Sequence, residues 1–194
     1  MMKRMLLAIA ALALSACATA PSASDGPAIR DTSFTDAGGS RTIQLSTVLP
    51  AGPAEVFAAV ATTEGWKTWA VPVAFGDVKT GGFMETSYDM AAKAGDPANI
   101  QQEFIAVIPE KLVVFRTTRT PPGFPSPELF YKTATILELS PEGAGTRLTL
   151  SHTGFGAGAG YDQLHGFFTQ GNAQTLEQLR KRFASGPIDF GEAR

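Results

Sequence analysis

The sequence predicts an α+β fold, in which an antiparallel sheet is followed by one long C-terminal helix. Six segments rich in β-branched and aromatic residues lie between residues 71 and 153, and short turn signals separate most of them. A helical spacing of apolar residues then runs from 161 to 183. Short returns between strands favour antiparallel neighbours, so the segments are expected to form a meander.

The N-terminus has the layout of a bacterial lipoprotein signal. A basic start precedes an apolar run over 5–13, which is about half of the roughly 20 residues needed to cross a bilayer. Small residues directly before Cys17 resemble the lipobox, which implies a signal peptide over 1–16 and a lipid anchor at Cys17. The alternative is an ordinary cleaved signal with an incidental cysteine. Ala18 is not the Asp that retains enteric lipoproteins in the inner membrane, so we expect the periplasmic face of the outer membrane.

Composition narrows the classes of partner. The formal net charge is -2, and it becomes -4 once Lys3 and Arg4 leave with the signal. A mildly acidic protein has no electrostatic reason to bind nucleic acid. Cys17 is the only cysteine of the chain, which excludes an intramolecular disulfide.

The segment after Cys17 is rich in Ala, Ser, Pro, Gly and Asp, with little to bury. We therefore predict a lipidated flexible tether over 17–40, one domain over 41–185 and a short tail over 186–194.

The first part of the domain reads as a strand followed by two short helices. In the strand over 41–49, Ile43 and Leu45 fall on one face. Pro53 suits the first turn of the first helix, and Thr63 is the expected N-cap of the second.

Six more strands and a long helix follow. The loop over 120–128 contains four prolines and is expected to be stiff. In the final helix over 161–183, Gly166 and Gly171 each weaken the helix by about 1 kcal/mol relative to Ala, which suggests close packing or a hollow surface. The predicted strands are 71–78, 81–89, 100–108, 111–118, 129–139 and 146–153.

Several of these segments resemble a known family when they are taken in order. They are Pro53-Ala54-Glu55-Val56-Phe57, 61–65 with Trp69, Gly81-Gly82, 108–115 and 145–155. Over 41–183 they resemble the START-like (SRPBCC) superfamily, in its branch of activator of Hsp90 ATPase homologue 1-like domains. The resemblance implies a helix-grip fold, in which a curved antiparallel sheet wraps around the C-terminal helix. It also implies a cavity between sheet and helix for apolar or amphipathic molecules, without a catalytic set to carry over.

The chain departs from that branch at one position. Many members have a Gly-Trp pair in the final helix, whereas this sequence has Gly171-Asn172. An amide in place of an indole would leave room, or place a polar group, where the family usually has an aromatic wall. Nothing in the resemblance gives a reason to expect Hsp90 binding outside the cytoplasm.

Two histidines are the candidates for chemistry in that cavity. His152 shares strand parity with Leu148 and Leu150, so it is expected to face the core. His165 and Asn172 fall on one helical stripe. A histidine at the cavity mouth could act as a general base or bind an acidic group, while the alternative places His152 at a strand end and His165 at the helix surface.

Four aromatic residues complete the candidate ligand-binding set, as walls of the cavity or as ordinary core. They are Trp66, Trp69, Tyr131 and Phe168. With two histidines and no free cysteine, no metal site or cofactor is predicted.

The leading hypothesis is therefore a lipid-anchored envelope protein that binds a hydrophobic or amphipathic small molecule. One alternative is a cyclase-like or hydrolytic enzyme that uses a cavity histidine. The other is a partner-binding module in the envelope. The sequence leaves the oligomeric state open.

Overall fold

The computed structural model describes residues 28–191. The predicted signal peptide over 1–16, the lipidated Cys17 and the tether up to 27 lie outside the described residues, as do the last three residues of the predicted tail. The strands are β1 (Arg30–Asp31), β2 (Phe34–Thr35), β3 (Arg41–Leu49), β4 (Val73–Gly76), β5 (Phe83–Ser87), β6 (Ile100–Ile108), β7 (Leu112–Arg119), β8 (Ala134–Glu142) and β9 (Gly145–Phe155). The helices are α1 (Pro53–Val60), α2 (Thr63–Trp66), α3 (Pro127–Phe130) and α4 (Ala159–Ser185).

All nine strands form one curved antiparallel sheet. Its order is β1-β3-β9-β8-β7-β6-β5-β4, and β2 pairs with β3 beside β1. From β4 to β9 each strand pairs with its neighbour in the chain, and only the β3–β9 pair joins distant parts of the sequence. The predicted α+β helix-grip fold, with two short helices after the first long strand, is confirmed.

The core lies on the face of the sheet that is covered by the helices, which we call the inner face. Leu45 of β3, Leu150 of β9 and Leu137 of β8 pair across neighbouring strands and are all buried. Helix α4 packs on β3 and β9, and α1 packs on β8 and β9. The buried side chains of α4 are Leu164, Asn172, Leu176 and Leu179. Burial of a Leu side chain contributes about 1.5–3 kcal/mol, so this row fixes α4 on the sheet.

Strands are present before residue 41, where the sequence predicted the domain to begin. Strands β1 and β2, within the predicted tether, both pair with β3. The Thr47 hydroxyl donates to the Ala28 carbonyl at 2.7 Å, and the Asp31 carboxylate accepts from the Ser33 amide at 2.8 Å. The tether over 28–40 is thus corrected to two short edge strands. They were missed because backbone pairing and an Asx turn, rather than apolar side chains, hold them.

Two local predictions are also corrected. Residues 127–130, at the start of the segment predicted as a strand over 129–139, form α3, and β8 begins at Ala134. The N-cap of α2 is Thr62 rather than Thr63, because the Thr62 hydroxyl accepts from the Gly65 amide at 2.8 Å.

Gly166 and Gly171 of α4 are not packing sites. A Cβ added at Gly166 or Gly171 would meet no atom within 4 Å. Close helix packing therefore does not explain them. No helix among residues 28–191 combines the length and the apolar character needed to cross a bilayer.

Candidate functional site

His152 lies on the inner face of the sheet, as its strand parity predicted. It pairs with Ile43 and Thr135 on either side and is only 2% exposed. Its Nε2 lies 2.9 Å from the Thr133 hydroxyl. That hydroxyl donates to the Phe130 carbonyl at 2.8 Å, so it accepts from the imidazole, which places the ring proton on Nε2.

The other ring nitrogen of His152 contacts Asn172, the residue that replaces the usual tryptophan of the family. Asn172 Nδ2 lies 3.4 Å from His152 Nδ1, where it donates to the unprotonated nitrogen. Burial lowers the pKa of His152 to about 3, with a further contribution from repulsion by His165. The imidazole is therefore neutral at ordinary pH. Because both ring nitrogens have partners inside the protein, the arrangement is that of a structural core histidine.

Aromatic rings enclose this histidine. Its ring centroid lies 4.7 Å from Phe168, 4.6 Å from Phe155 and 5.9 Å from Phe130. Phe168 also stacks on Phe130 at 4.6 Å. The structure thus brings together His152, Phe168 and Asn172, which were predicted as cavity walls. The three side chains pack against one another.

The two tryptophans are joined to the end of α1. The indole of Trp66 donates to the Val60 carbonyl at 2.8 Å, and that of Trp69 donates to the Ala59 carbonyl at 2.9 Å. Trp69 is core at 3% exposure, whereas Trp66 is half-buried with its ring 5.8 Å from Phe115 of β7. Trp66 therefore remains a candidate for a ligand-binding wall, while Trp69 belongs to the hydrophobic core.

Neither Tyr131 nor His165 is hydrogen-bonded to His152. The Tyr131 hydroxyl accepts from the Thr120 amide at 3.2 Å, which joins the two ends of the proline-rich loop. His165 is half-buried, with its ring 5.3 Å from Phe155, and lines a surface depression of about 300 Å³ with Arg41. Burial lowers the pKa of His165, Arg41 lowers it further and Asp162 opposes the change. The two histidines do not form one site.

A row of uncharged polar side chains across β5, β6 and β7 was missed by the sequence analysis. Gln102 pairs with Met84 on one side and with Thr117 on the other, so all three share the inner face. Thr86 lies on the same face, and its hydroxyl accepts from Gln102 Nε2 at 3.3 Å. Gln102 Oε1 is buried and has no hydrogen-bond partner. Side-chain alternation along β6 places Gln102 and its charged neighbour Glu103 on opposite faces of the sheet, and this pattern could have predicted an inward Gln102.

Charged side chains lie on the other face or at the ends of the sheet. Glu85 and Arg119 form an ion pair of 2.9 Å, and Arg116 forms one of 2.7 Å with Glu103. Although burial works to raise the pKa of Glu85, hydrogen bonds from Asn99, Gly95 and Arg119 hold it below its usual value. Within residues 28–191, no group of three or more His, Cys, Asp and Glu side chains is arranged to hold a metal ion.

A second depression, of about 660 Å³, lies at the opposite end of the sheet. It is lined by the β6–β7 turn, by β8 and by Pro53 of α1. His152, Phe168 and Asn172 line neither this depression nor that beside His165.

The comparisons with known proteins agree with this architecture. The sequence profile of the activator of Hsp90 ATPase homolog 1-like protein family matches residues 50–184. The Aha1 dimer from Colwellia psychrerythraea has a similar structure, with 17% identity, a TM-score of 0.60 and coverage of 75% of this chain and 97% of that one. CalU16 from Micromonospora echinospora is also similar, with 22% identity, a TM-score of 0.58 and coverage of 82% of this chain and 87% of that one.

Protein MLL2253 from Mesorhizobium loti is similar over its whole length. The identity is 18% and the TM-score 0.61, with coverage of 76% of this chain and 100% of that one. A comparison with curated proteins gives no significant match. At these identities the solved structures establish the fold.

Proposed function

Since the chain belongs to the activator of Hsp90 ATPase homologue 1-like family, we propose that it binds a hydrophobic or amphipathic small molecule between the inner face of the sheet and α4. The observation that carries the proposal is the polar row of the inner face, with a buried amide oxygen of Gln102 that has no partner. An unsatisfied buried polar atom costs about 1–3 kcal/mol. A ligand that supplies its hydrogen bond would recover that free energy.

Binding in this region requires local opening. Gln102 is only 6% exposed. The half-buried Trp66 and Phe168 are the side chains best placed to move, since each already reaches the surface. The apolar body of the ligand would then replace aromatic contacts, with about 25 cal/mol for each Å² of apolar surface removed from water.

The geometry counts against His152 as a general base. A base should have a pKa near the operating pH and a free nitrogen for the substrate proton. The pKa of His152 is lowered to about 3, and both of its nitrogens have protein partners. His152 therefore gives the enzyme hypothesis no support.

A partner-binding module remains the second candidate. It is favoured by the close aromatic packing around His152 and by apolar side chains at the surface, of which Tyr88 is 72% exposed and Phe167 is 60% exposed.

Native mass spectrometry distinguishes these two functions. The chain from residue 17 onward, carrying Cys17→Ser so that it takes no lipid, would be purified without detergent, and solvent extraction would identify any bound molecule. We expect one stoichiometric hydrophobic species that is released on denaturation. An apo mass, with no uptake from an envelope-lipid extract, would contradict the ligand-binding proposal and favour the partner module.

We also propose that Cys17 anchors the protein in the bacterial cell envelope, at the periplasmic face of the outer membrane. The proposal is supported by the basic, apolar and small residues that precede this cysteine. Two or three acyl chains would hold the protein stably on a membrane. Radiolabelled palmitate should enter the wild type and not Cys17→Ser. Equal labelling of both would contradict the anchor.

A further inference from the structure

We propose that the ligand's buried polar group is uncharged and donates a hydrogen bond to Gln102 Oε1, as a hydroxyl or N–H group would. This inference rests on the proposed function and names the chemistry of its ligand. It depends on three features of the inner face, which are the unpartnered amide oxygen of Gln102, the hydrogen bonds already made around His152 and the position of the neighbouring charges on the other face of the sheet.

The amide oxygen of Gln102 can accept a hydrogen bond from a donor. Its Nε2 already donates to the Thr86 hydroxyl at 3.3 Å, whereas its Oε1 is buried without a partner. An amide oxygen only accepts, so the missing partner must carry a hydrogen. The paired residue on β7 is Thr117, which is 7% exposed and whose hydroxyl could donate to or accept from the same group. A hydroxyl, which both donates and accepts, matches this pair of side chains.

The polar side chains around His152 are already engaged. Thr133 donates to the Phe130 carbonyl and accepts from His152, while Asn172 donates to the other ring nitrogen. A ligand that took one of these groups would break an existing bond. The polar group that lacks a partner is therefore the amide oxygen of Gln102 rather than the histidine.

Among residues 28–191, the charged side chains of the strands around Gln102 lie on the other face of the sheet. Alternation along β5 and β6 places Glu85 and Glu103 on the face opposite Met84 and Gln102, where each pairs with an arginine. Arg41 lies at the end of β3, where it pairs with Asp162 at 2.8 Å. Transfer of an unpaired carboxylate or ammonium to such an interior costs several kcal/mol.

The apolar side of the site is aromatic. Phe115 lies two residues before Thr117 on the same face of β7, and the half-buried Trp66 lies against it at 5.8 Å. A neutral alcohol with a long or flat apolar body combines the donor with the surface that these rings would cover.

Three competitors of equal chain length test the inference on the chain from residue 17 onward with Cys17→Ser. N-phenyl-1-naphthylamine, a neutral fluorescent probe, would be displaced by decan-1-ol, by methyl decanoate and by decanoate. We expect decan-1-ol to compete at least tenfold better than methyl decanoate, which has no donor, and at least tenfold better than the charged decanoate. Equal competition by all three, or stronger competition by decanoate, would overturn the inference and leave the proposed function standing.

Variants assign the discrimination to the amide. Gln102→Leu should reduce the preference for decan-1-ol over methyl decanoate to less than threefold, and Thr117→Val provides a second, nearly isosteric change in case the first variant does not fold. Gln101→Leu is the matched control, because Gln101 pairs with Glu85 on the other face. Unchanged discrimination in folded Gln102→Leu and Thr117→Val would contradict the role of this pair. If neither the probe nor any competitor binds, the proposed function itself fails.

Discussion

Acid should unfold this protein through His152. The unfolded chain has a histidine pKa of about 6.5, whereas burial lowers that of His152 to about 3 in the folded state. The folded state therefore binds fewer protons than the unfolded state between these values. The stabilisation is fully present above about pH 7 and is lost progressively as the pH falls through 6.5 towards 3. From pH 8 to pH 5, linkage gives a loss of about 2 kcal/mol in the free energy of unfolding.

Urea unfolding at pH 8 and pH 5 measures this loss, and two variants isolate its source. His152→Gln keeps a donor and an acceptor but does not titrate, so it should lose about 2 kcal/mol less than the wild type over this interval. His165→Gln is the matched control, and it should lose nearly as much as the wild type because His165 is only partly buried. Carboxylates with a lowered pKa, such as Glu85, are present in all three proteins and cancel. An equal loss in His152→Gln and in the wild type would refute the assignment of a neutral, buried histidine.

Three further substitutions have definite expected outcomes. Gly166→Ala should raise the free energy of unfolding by about 0.4–1 kcal/mol, because its Cβ meets no atom within 4 Å in α4. Gly65→Ala should lower the free energy of unfolding by about 2 kcal/mol or more, since its Cβ would clash with the Ala58 carbonyl oxygen. Urea unfolding measures both changes. Glu85→Gln removes the carboxylate that accepts from the Gly95 amide and pairs with Arg119. Amide hydrogen exchange over 88–99 should therefore accelerate about tenfold. Unchanged exchange would show that other contacts hold this loop.

Prediction from sequence succeeded where apolar periodicity decides the structure. Alternation placed His152 beside Leu148 and Leu150 on the inner face, and the helical pattern from 161 lies within α4. These patterns report burial directly, and burial determines both the sheet and the helix on it. The order of the strands and helices then predicted the helix-grip fold.

The missed features depend on tertiary partners that a single sequence does not display. Strand β1 consists of polar residues and exists only because β3 offers a free edge. Tyr131 fastens the proline-rich loop through Thr120, and side-chain alternation gives no indication of that contact. Gln102 looks like an ordinary polar strand residue until its partners Met84 and Thr117 show that it points inward.

The two short strands at the N-terminus have a consequence for aggregation. Without β1 and β2, the nine residues of β3 would form a free sheet edge, whose backbone N–H and C=O groups can recruit the same edge of another molecule. In the folded chain, residues 30–35 cover that edge in two pieces, and β4 at the opposite side offers only four residues. A protein shortened to begin at residue 41 should therefore self-associate through β3, while one that keeps residue 28 onward stays dispersed.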